Sequence, residues 1–588
     1  MKGVNSYKLF ICMVIFMKKI VTLLICVLFL TSCSFVDSIF EIIQMQDSTT
    51  TDPIAPPTTT PPVATNPPVD ADKEVDQDVD QDTDQDTDQD ADQDTDQDVD
   101  QDENGDTSNS AFKINISDYI VGLANDGYAN DAEFLNFVAA MDERAIGKII
   151  YASPDGDGDG TFDDPAPIED AIDMAKAGDT VYLRGGEYIF KEAIWLEKGG
   201  KAGAYLSIKS YPGEKAILTT TPENVSKYDE NGEYLFFGFD SDCAYVIFED
   251  LEICGATDKY VAAFACYGGG QNHLIFKNID IHDLKTTKTD YGSNAFLFMG
   301  EEKKPINNIM LINNRCHDLT LGYSEAISFA GNCEYCYVIN NEVYNCTNIG
   351  IDFYGNAGYC SIEALDQARY CVAAYNTVYN CNSPYADCAG IYVDGSRNCL
   401  IEGNLVYQCQ YGIEIGSEEL NTKYPVTDIV VRNNILTENT VCTMRIGGYD
   451  TKTSGTVKNS FFYNNTFVNN SGESDIIISK VDGIVFANNI FISSIPYVET
   501  EFSQSYIKNL SFYNNCFNKN GEYISIYGNE MTVDELNNLY GEDNFVYNMT
   551  LDSKFAPDKE FTGRVDYAPA YDFYLVIRES YCIGAVEK

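Results

Sequence analysis

The chain has 588 residues, 44% of them hydrophobic, and a formal net charge of −53 from 91 acidic and 38 basic side chains. A charge of that sign and size excludes nucleic acid and anionic membrane surfaces as partners, and it counts against a polyanionic glycan unless a cation bridges the two. Length alone would allow three or four domains, but the internal repeat described below grows along one axis, so length does not count domains here.

The chain opens with an export signal. Residues 1–16 read as an upstream extension, so the true start is Met1 or Met17. Met17-Lys18-Lys19 is a basic start, followed by an apolar run over residues 20–30 and by Leu30-Thr31-Ser32-Cys33. That ending resembles the lipobox of bacterial lipoproteins, which implies that Cys33 is lipidated and becomes the first mature residue. A transmembrane anchor is the competing reading, for which the run is short. Ser34 stands where an aspartate would retain a lipoprotein at an inner membrane, so display at an outer membrane or cell surface is expected.

Residues 34–112 read as a tether. Pro56-Pro57-Thr-Thr-Thr-Pro61-Pro62 is extended and stiff. From Asp70 to Asp106 the chain holds 17 Asp, 2 Glu and 1 Lys, about −18 of the total charge. Such a segment buries no apolar surface and repels itself, so it is expected to be extended and solvated. It lacks the glycines that calcium-binding repeats use for turns.

The folded part is expected over residues 113–588, as a cap at about 146–190, coils at about 200–520 and a second cap at about 521–588. Residues 148–151 read as a strand. The spacing of Ile168, Ala171, Ile172 and Ala175 predicts one short amphipathic helix, stopped by Gly178. Asp179-Thr-Val-Tyr-Leu-Arg184-Gly-Gly-Glu-Tyr188 then reads as strand, turn and strand.

Beyond the cap, an asparagine follows a short apolar run again and again: Asn278, Asn314, Asn341, Asn376, Asn404, Asn434, Asn465, Asn489 and Asn515, at gaps of 36, 27, 35, 28, 30, 31, 24 and 26. A period of this size, without helical periodicity, predicts β-solenoid coils. Asn accepts the left-handed backbone of a tight corner, and its amide can bond the Asn one rung away. Cysteines share the register, in the pattern Cys-x4-Asn-x4-Cys: Cys336, Cys371 and Cys399 before the asparagines, Cys346, Cys381 and Cys409 after them. Rungs about 4.8 Å apart place them within disulfide reach, though small apolar residues in a narrow column fit equally. Near the end, Thr532-Val-Asp-Glu535 is a capping box before a short helix.

The coils also align by a Gly-Ile step: Gly350-Ile-Asp352-Phe-Tyr354, Gly390-Ile-Tyr392-Val-Asp394, Gly412-Ile-Glu414-Ile-Gly416 and the variant Thr443-Met-Arg445-Ile-Gly447. Strand alternation turns the charged residues outward, and parallel stacking makes them columns. One column is Asp352, Tyr392, Glu414 and Arg445; the next is Tyr354, Asp394, Gly416 and Gly447, with Glu418 and Tyr449 just past the strand ends. Three readings stand open. In a lyase, Asp352, Asp394 and Glu414 hold calcium, which neutralises a uronate; Arg445 as the group that takes the proton is what the family resemblance given below implies. In a hydrolase or epimerase, pairs of the same carboxylates act as acid and base. In a glycan-binding or adhesin solenoid, the columns are a polar face on which Tyr354, Tyr392, Glu418 and Tyr449 contact sugar. His282 and His317, each followed by Asp, read as turn caps or as a proton relay.

The block from Tyr151-Ala-Ser-Pro-Asp-Gly through Gly178-Asp-Thr-Val-Tyr-Leu-Arg-Gly-Gly-Glu-Tyr188, followed by the Asn repeats, resembles right-handed parallel β-helix proteins of the pectate-lyase-like superfamily. Its cap is similar to those of family nine pectate lyases and chondroitinase-B-like proteins. The resemblance implies an all-β, right-handed parallel β-helix with a short amino-terminal capping helix, closing strands at Asp572-Phe-Tyr-Leu575 and Ile583-Gly-Ala585, a polysaccharide partner, a monomer, and calcium as the cofactor of the lyase reading.

Overall fold

The computed structural model describes residues 116–587, apart from 145, 229–232, 520–522, 577, 579 and 580. The signal segment with Cys33 and the tether lie outside the described residues.

Short apolar strands separated by left-handed corners wind into the expected parallel β-helix. The first sheet has 15 strands, running from Ile149–Ala152 to Gly541–Glu542. The second has 13, from Gly186–Phe190 to Phe545–Val546. The third also has 13, from Ile194–Leu196 to the hairpin of Ile524–Ile526 with Asn529–Glu530, the one antiparallel pair of strands among the described residues. Side chains pointing inward meet their counterparts one rung away. Phe237, Phe264 and Phe296 stack with centroids 5.4 Å apart at each step.

The asparagine repeat divides its two expected roles between neighbouring residues. The left-handed corner is the residue before the ladder position: Asn313, Asn340, Tyr375, Gly403, Asn433, Asn464, Asn488 and Asn514, with φ between 54° and 66°. The ladder proper runs inside, each Nδ2 donating to the Oδ1 of the next rung: Asn314 to Asn341 (3.0 Å), Asn341 to Asn376 (3.1 Å), Asn376 to Asn404 (3.0 Å), and on through Asn434, Asn465, Asn489 and Asn515. Asn544 extends it by one rung, with Asn515 donating at 2.8 Å. Asn278 is not a member. It is a corner residue at φ 54°, and Ile279 takes the ladder position, donating its N–H to Asn314 Oδ1 at 2.9 Å.

The sixteen cysteines of the described residues are free, and all but Cys254 are buried. Those of the repeat line the interior, as a narrow apolar column requires. Helix Ile168–Met174 buries Ile168, Ala171 and Ile172 over one end of the stack. Helix Val533–Tyr540 closes the other, with the Thr532–Glu535 capping box formed.

Two features at the ends depart from expectation. Helices Ile116–Gly122 and Ala132–Ala139 precede the cap and lie on the outer face of the first sheet. They bury Tyr119, Ile120, Phe134, Leu135 and Val138 against an outward apolar column of that sheet that includes Ile275, Tyr337, Val372 and Leu400. The expected closing strands at residues 572–575 and 583–585 do not form. Instead the tail folds back over the second sheet, where Ala585 N–H donates to Thr466 Oγ1 at 3.0 Å and Ile583 packs on Ile490 and Cys516. The outward side chains of that sheet here are Ile435, Thr466 and Ile490, and an apolar tail covers them better than another rung would.

Candidate functional site

The third sheet carries the charged columns. Its strands Ile349–Tyr354, Ala389–Asp394, Tyr411–Gly416 and Cys442–Ile446 pair in parallel, and the register sets Asp352 beside Tyr392, Tyr392 beside Glu414, and Glu414 beside Arg445. Ser328 precedes this column by one rung and Ile477 ends it. The residues between them, Ile351, Phe353, Ile391, Val393, Ile413 and Ile415, are buried in the core, so alternation alone directs the acids outward.

Although outward, the acids are covered. Asp352 and Asp394 are only 2% and 3% exposed. Asp394 Oδ1 accepts the backbone N–H of Glu418 at 2.9 Å. Asp352 Oδ1 is buried without a hydrogen-bond partner. Burial, then the charges of Glu325, Asp394 and Glu418, push the Asp352 carboxyl well up; burial, then Glu418, Glu414 and Glu325, do the same to Asp394. Glu325, which sequence reasoning missed, is pushed up to about 7, chiefly by burial and then by Glu418, against a hydrogen bond from Ser328. Glu414 is pushed up to about 8, again by burial first, with Arg445 opposing and Glu418 and Asp387 adding to the shift.

Arg445 lies 4.0 Å from Glu414 and donates to Glu501 at 2.6 Å. Burial works against its charge, but Glu501, Tyr411 and Glu414 outweigh it and hold the guanidinium even more firmly protonated than usual. The guanidinium is thus held as a cation between Glu414 and Glu501. Tyr392 is not a sugar platform. It is 5% exposed and packs with Ala389, Tyr411, Cys442 and Ile477. Tyr354 is half-buried, its ring edge-on to Tyr359 at 5.5 Å. Glu418 and Tyr449 are exposed at the strand ends, Tyr449 by 56%. Just upstream of the same strands, an open cavity of about 180 Å³ is lined by Thr286, Lys288, Thr320, Gly322 and Tyr385.

The carboxylates suit a hard cation by donor type and by the orphaned Asp352 oxygen. Asp352, Asp394 and Glu414 do not, however, converge as one set of three. Among the described residues, the group whose donor atoms all lie within 4.8 Å of one another is Glu252, Cys254 and His282, on the second sheet. His282 and His317 stack at 5.0 Å, and each Nδ1 meets the carboxylate of the following Asp, a residue in the left-handed conformation. They are outward strand residues beside the Asp corners, at the head of an outer ring column that continues through Tyr344, Tyr379 and Tyr407.

A Pel9A-like, right-handed β-helix region matches residues 150–409. The uncharacterized protein YwoF of Bacillus subtilis is 31% identical over 342 residues, 56% of this chain and 70% of that protein. Pectate lyase PEL9 of Emericella nidulans is 32% identical over 181 residues, 29% of this chain and 40% of that enzyme, so the chain spans well under half of it. Among solved structures, pectate lyase Pel9A aligns over 63% of this chain and 81% of its own at 14% identity, with a TM-score of 0.36. The matched region contains Asp352 and Asp394 and ends before Glu414, Glu418 and Arg445.

Proposed function

We propose that this chain, which belongs to the Pel9A-like right-handed β-helix family, binds a polysaccharide along the outer face of its third sheet and cleaves it there. The observation that carries this reading is the gathering of Glu325, Asp352, Asp394, Glu414 and Glu418 with the fixed cation Arg445 on that face. The rungs from Asp352 to Arg445, about 4.8 Å apart, offer a face ~15–20 Å long, the scale of a short stretch of sugar chain.

The lyase name of one relative favours β-elimination on a uronate-containing chain. Asp352 and Asp394 would hold calcium, which when bound supplies charge neutralisation for the face and for a uronate carboxylate. Arg445 clamps an anionic group through its planar fork. Hydrolysis is the second reading, and a specific feature favours it. Burial raises both Glu325 and Glu414 toward the neutral range, to about 7 and about 8, so one cluster offers carboxyl groups able to give or take a proton there.

The test is to incubate the purified protein with polygalacturonate and with neutral glycans, following unsaturated-product absorbance and reducing ends, with and without chelator. Elimination gives an absorbing product that chelator abolishes and calcium restores. Hydrolysis gives reducing ends without absorbance. Glycan binding with no turnover of any substrate would replace cleavage with the glycan-binding solenoid reading. An unchanged rate in Asp394→Asn would remove the site from this face.

A further inference from the structure

The second sheet carries a separate arrangement. Strand Glu252–Cys254 pairs in parallel with strand Asp280–His282, placing Cys254 beside His282 and Glu252 beside Asp280. Ile253 and Ile281 between them point into the core, so Glu252, Cys254 and His282 share the outer face. Cys254 is the one cysteine of the described residues that is not buried. The interior-column explanation that serves the other fifteen does not apply to it.

The geometry around His282 is directional. Its Nδ1 meets Asp283 Oδ2 at 3.0 Å, a hydrogen bond that fixes the ring and, in the neutral imidazole, leaves the Nε2 lone pair free. That Nε2 meets Glu252 Oε1 at 3.4 Å, so the imidazole sits between two carboxylates, one behind it and one in front. Lys215 is paired with the other oxygen, Oε2, so Oε1 is the carboxylate oxygen turned toward His282. Cys254 Sγ completes a set in which all three donor atoms lie within 4.8 Å of one another. A carboxylate behind a ligating imidazole is the usual outer support of a metal-bound histidine.

We propose that Cys254 Sγ, His282 Nε2 and Glu252 Oε1 bind a divalent transition-metal cation of the zinc class, with Asp283 as a positioning residue. A thiolate, an imidazole and a carboxylate suit zinc or cobalt and disfavour calcium. Three protein ligands leave a fourth position for water. Binding replaces the thiol proton, which is released to solvent. The ion would clip two successive rungs together at the head of the ring column. This site is independent of the carboxylate face on the third sheet.

The experiment titrates the purified protein with Co²⁺ and Zn²⁺. One equivalent of Co²⁺ is expected to produce a thiolate-to-cobalt charge-transfer absorption that Zn²⁺ displaces. Cys254→Ser should abolish the band and weaken Zn²⁺ binding at least about 100-fold. Asp283→Asn should keep the band and weaken binding about 10- to 100-fold. Metal-free Cys254→Ser should melt as the parent does. If it fails to fold, His282→Gln serves in its place, with loss of one-equivalent binding expected. A band that is missing in the parent, or that survives in Cys254→Ser, overturns the proposal. So does Zn²⁺ affinity indifferent to His282→Gln.

Discussion

Asp394 Oδ1 accepts the backbone N–H of Glu418 at 2.9 Å. The bond ties an acid on one rung to the loop leaving the next, so the carboxylate face and the wall at its rim are fixed together. Removing that acceptor should disturb the loop as well as the charge. Asp394→Asn retains an acceptor oxygen and keeps the bond. It is expected to lower turnover at least about 10²-fold, the scale of losing one placed acid or base, while leaving the melting temperature within a few degrees. Initial rates and thermal unfolding check both halves.

Arg445→Ala is expected to abolish turnover, and Arg445→Lys to restore little of it, because a point charge does not replace the fork that spans Glu501 and Glu414. Steady-state kinetics on the three proteins tests this. Full activity in Arg445→Ala would mean that the column is structural.

The pH dependence of stability has a defined sign. Glu414 binds its proton more tightly when folded, at about 8 against an ordinary value of 4.5. The folded state therefore holds the extra proton between these values, and stability falls as pH rises from about 4.5 to 8. Glu414→Gln should remove part of that slope and raise stability at pH 8 by on the order of 2 kcal/mol. Denaturant unfolding at pH 5 and pH 8 measures it, with chelator present so that bound cation does not mask the effect.

Asn404 has every polar atom of its side chain paired: Nδ2 to Ala373 O and Asn434 Oδ1, Oδ1 from Asn376. Asn404→Leu strands the partners on both sides and should cost about 1–3 kcal/mol for each group left unpaired. Asn278→Gly should change stability by less than about 0.5 kcal/mol, since Asn278 is an exposed left-handed corner that glycine fills without strain. Equal effects in the two would contradict the ladder assignment.

Cys33→Ser should release the protein from membranes or leave it as an unprocessed precursor, because the proposed anchor is a lipid on that thiol. Membrane fractionation of the processed protein tests this directly. A processed mutant that still sediments with membranes would argue for another anchor.

The coil register was readable because parallel stacking converts a sequence alignment into contacts. Once Gly350, Gly390 and Gly412 are aligned, Asp352, Tyr392 and Glu414 must be neighbours, and they are. Glu325 escaped notice because its strand, Glu325–Gly331, lacks the Gly-Ile step. Only the pairing of Glu325 with Ile349 places it in line. The burial of Tyr392 was equally hidden, since alternation tells which way a side chain points and not what covers it. The one-residue offset at Asn278 shows the same limit. A corner asparagine and a ladder asparagine look alike in sequence, and only the doubled Asn-Asn of later coils reveals that two positions exist. The helices at 116–122 and 132–139 were missed because each is a short element whose apolar face meets a sheet far away in the chain.

Those helices and the folded-back tail together change how the stack must come apart. An ordinary solenoid is held by contacts between adjacent repeats and frays one repeat at a time. Here one strap crosses successive rungs of the first sheet and the other crosses those of the second. They approach each other where Tyr119 donates to Glu402 at 3.1 Å and Asn433 donates to Tyr571 O at 2.8 Å. A middle coil cannot open without lifting a strap that also holds its distant neighbours. Unfolding should therefore be far more concerted than the repeat count implies. The second strap draws residues 571–586 onto rungs formed roughly 80–150 residues earlier, so the distal coils gain their full cover only once that segment has folded back over them.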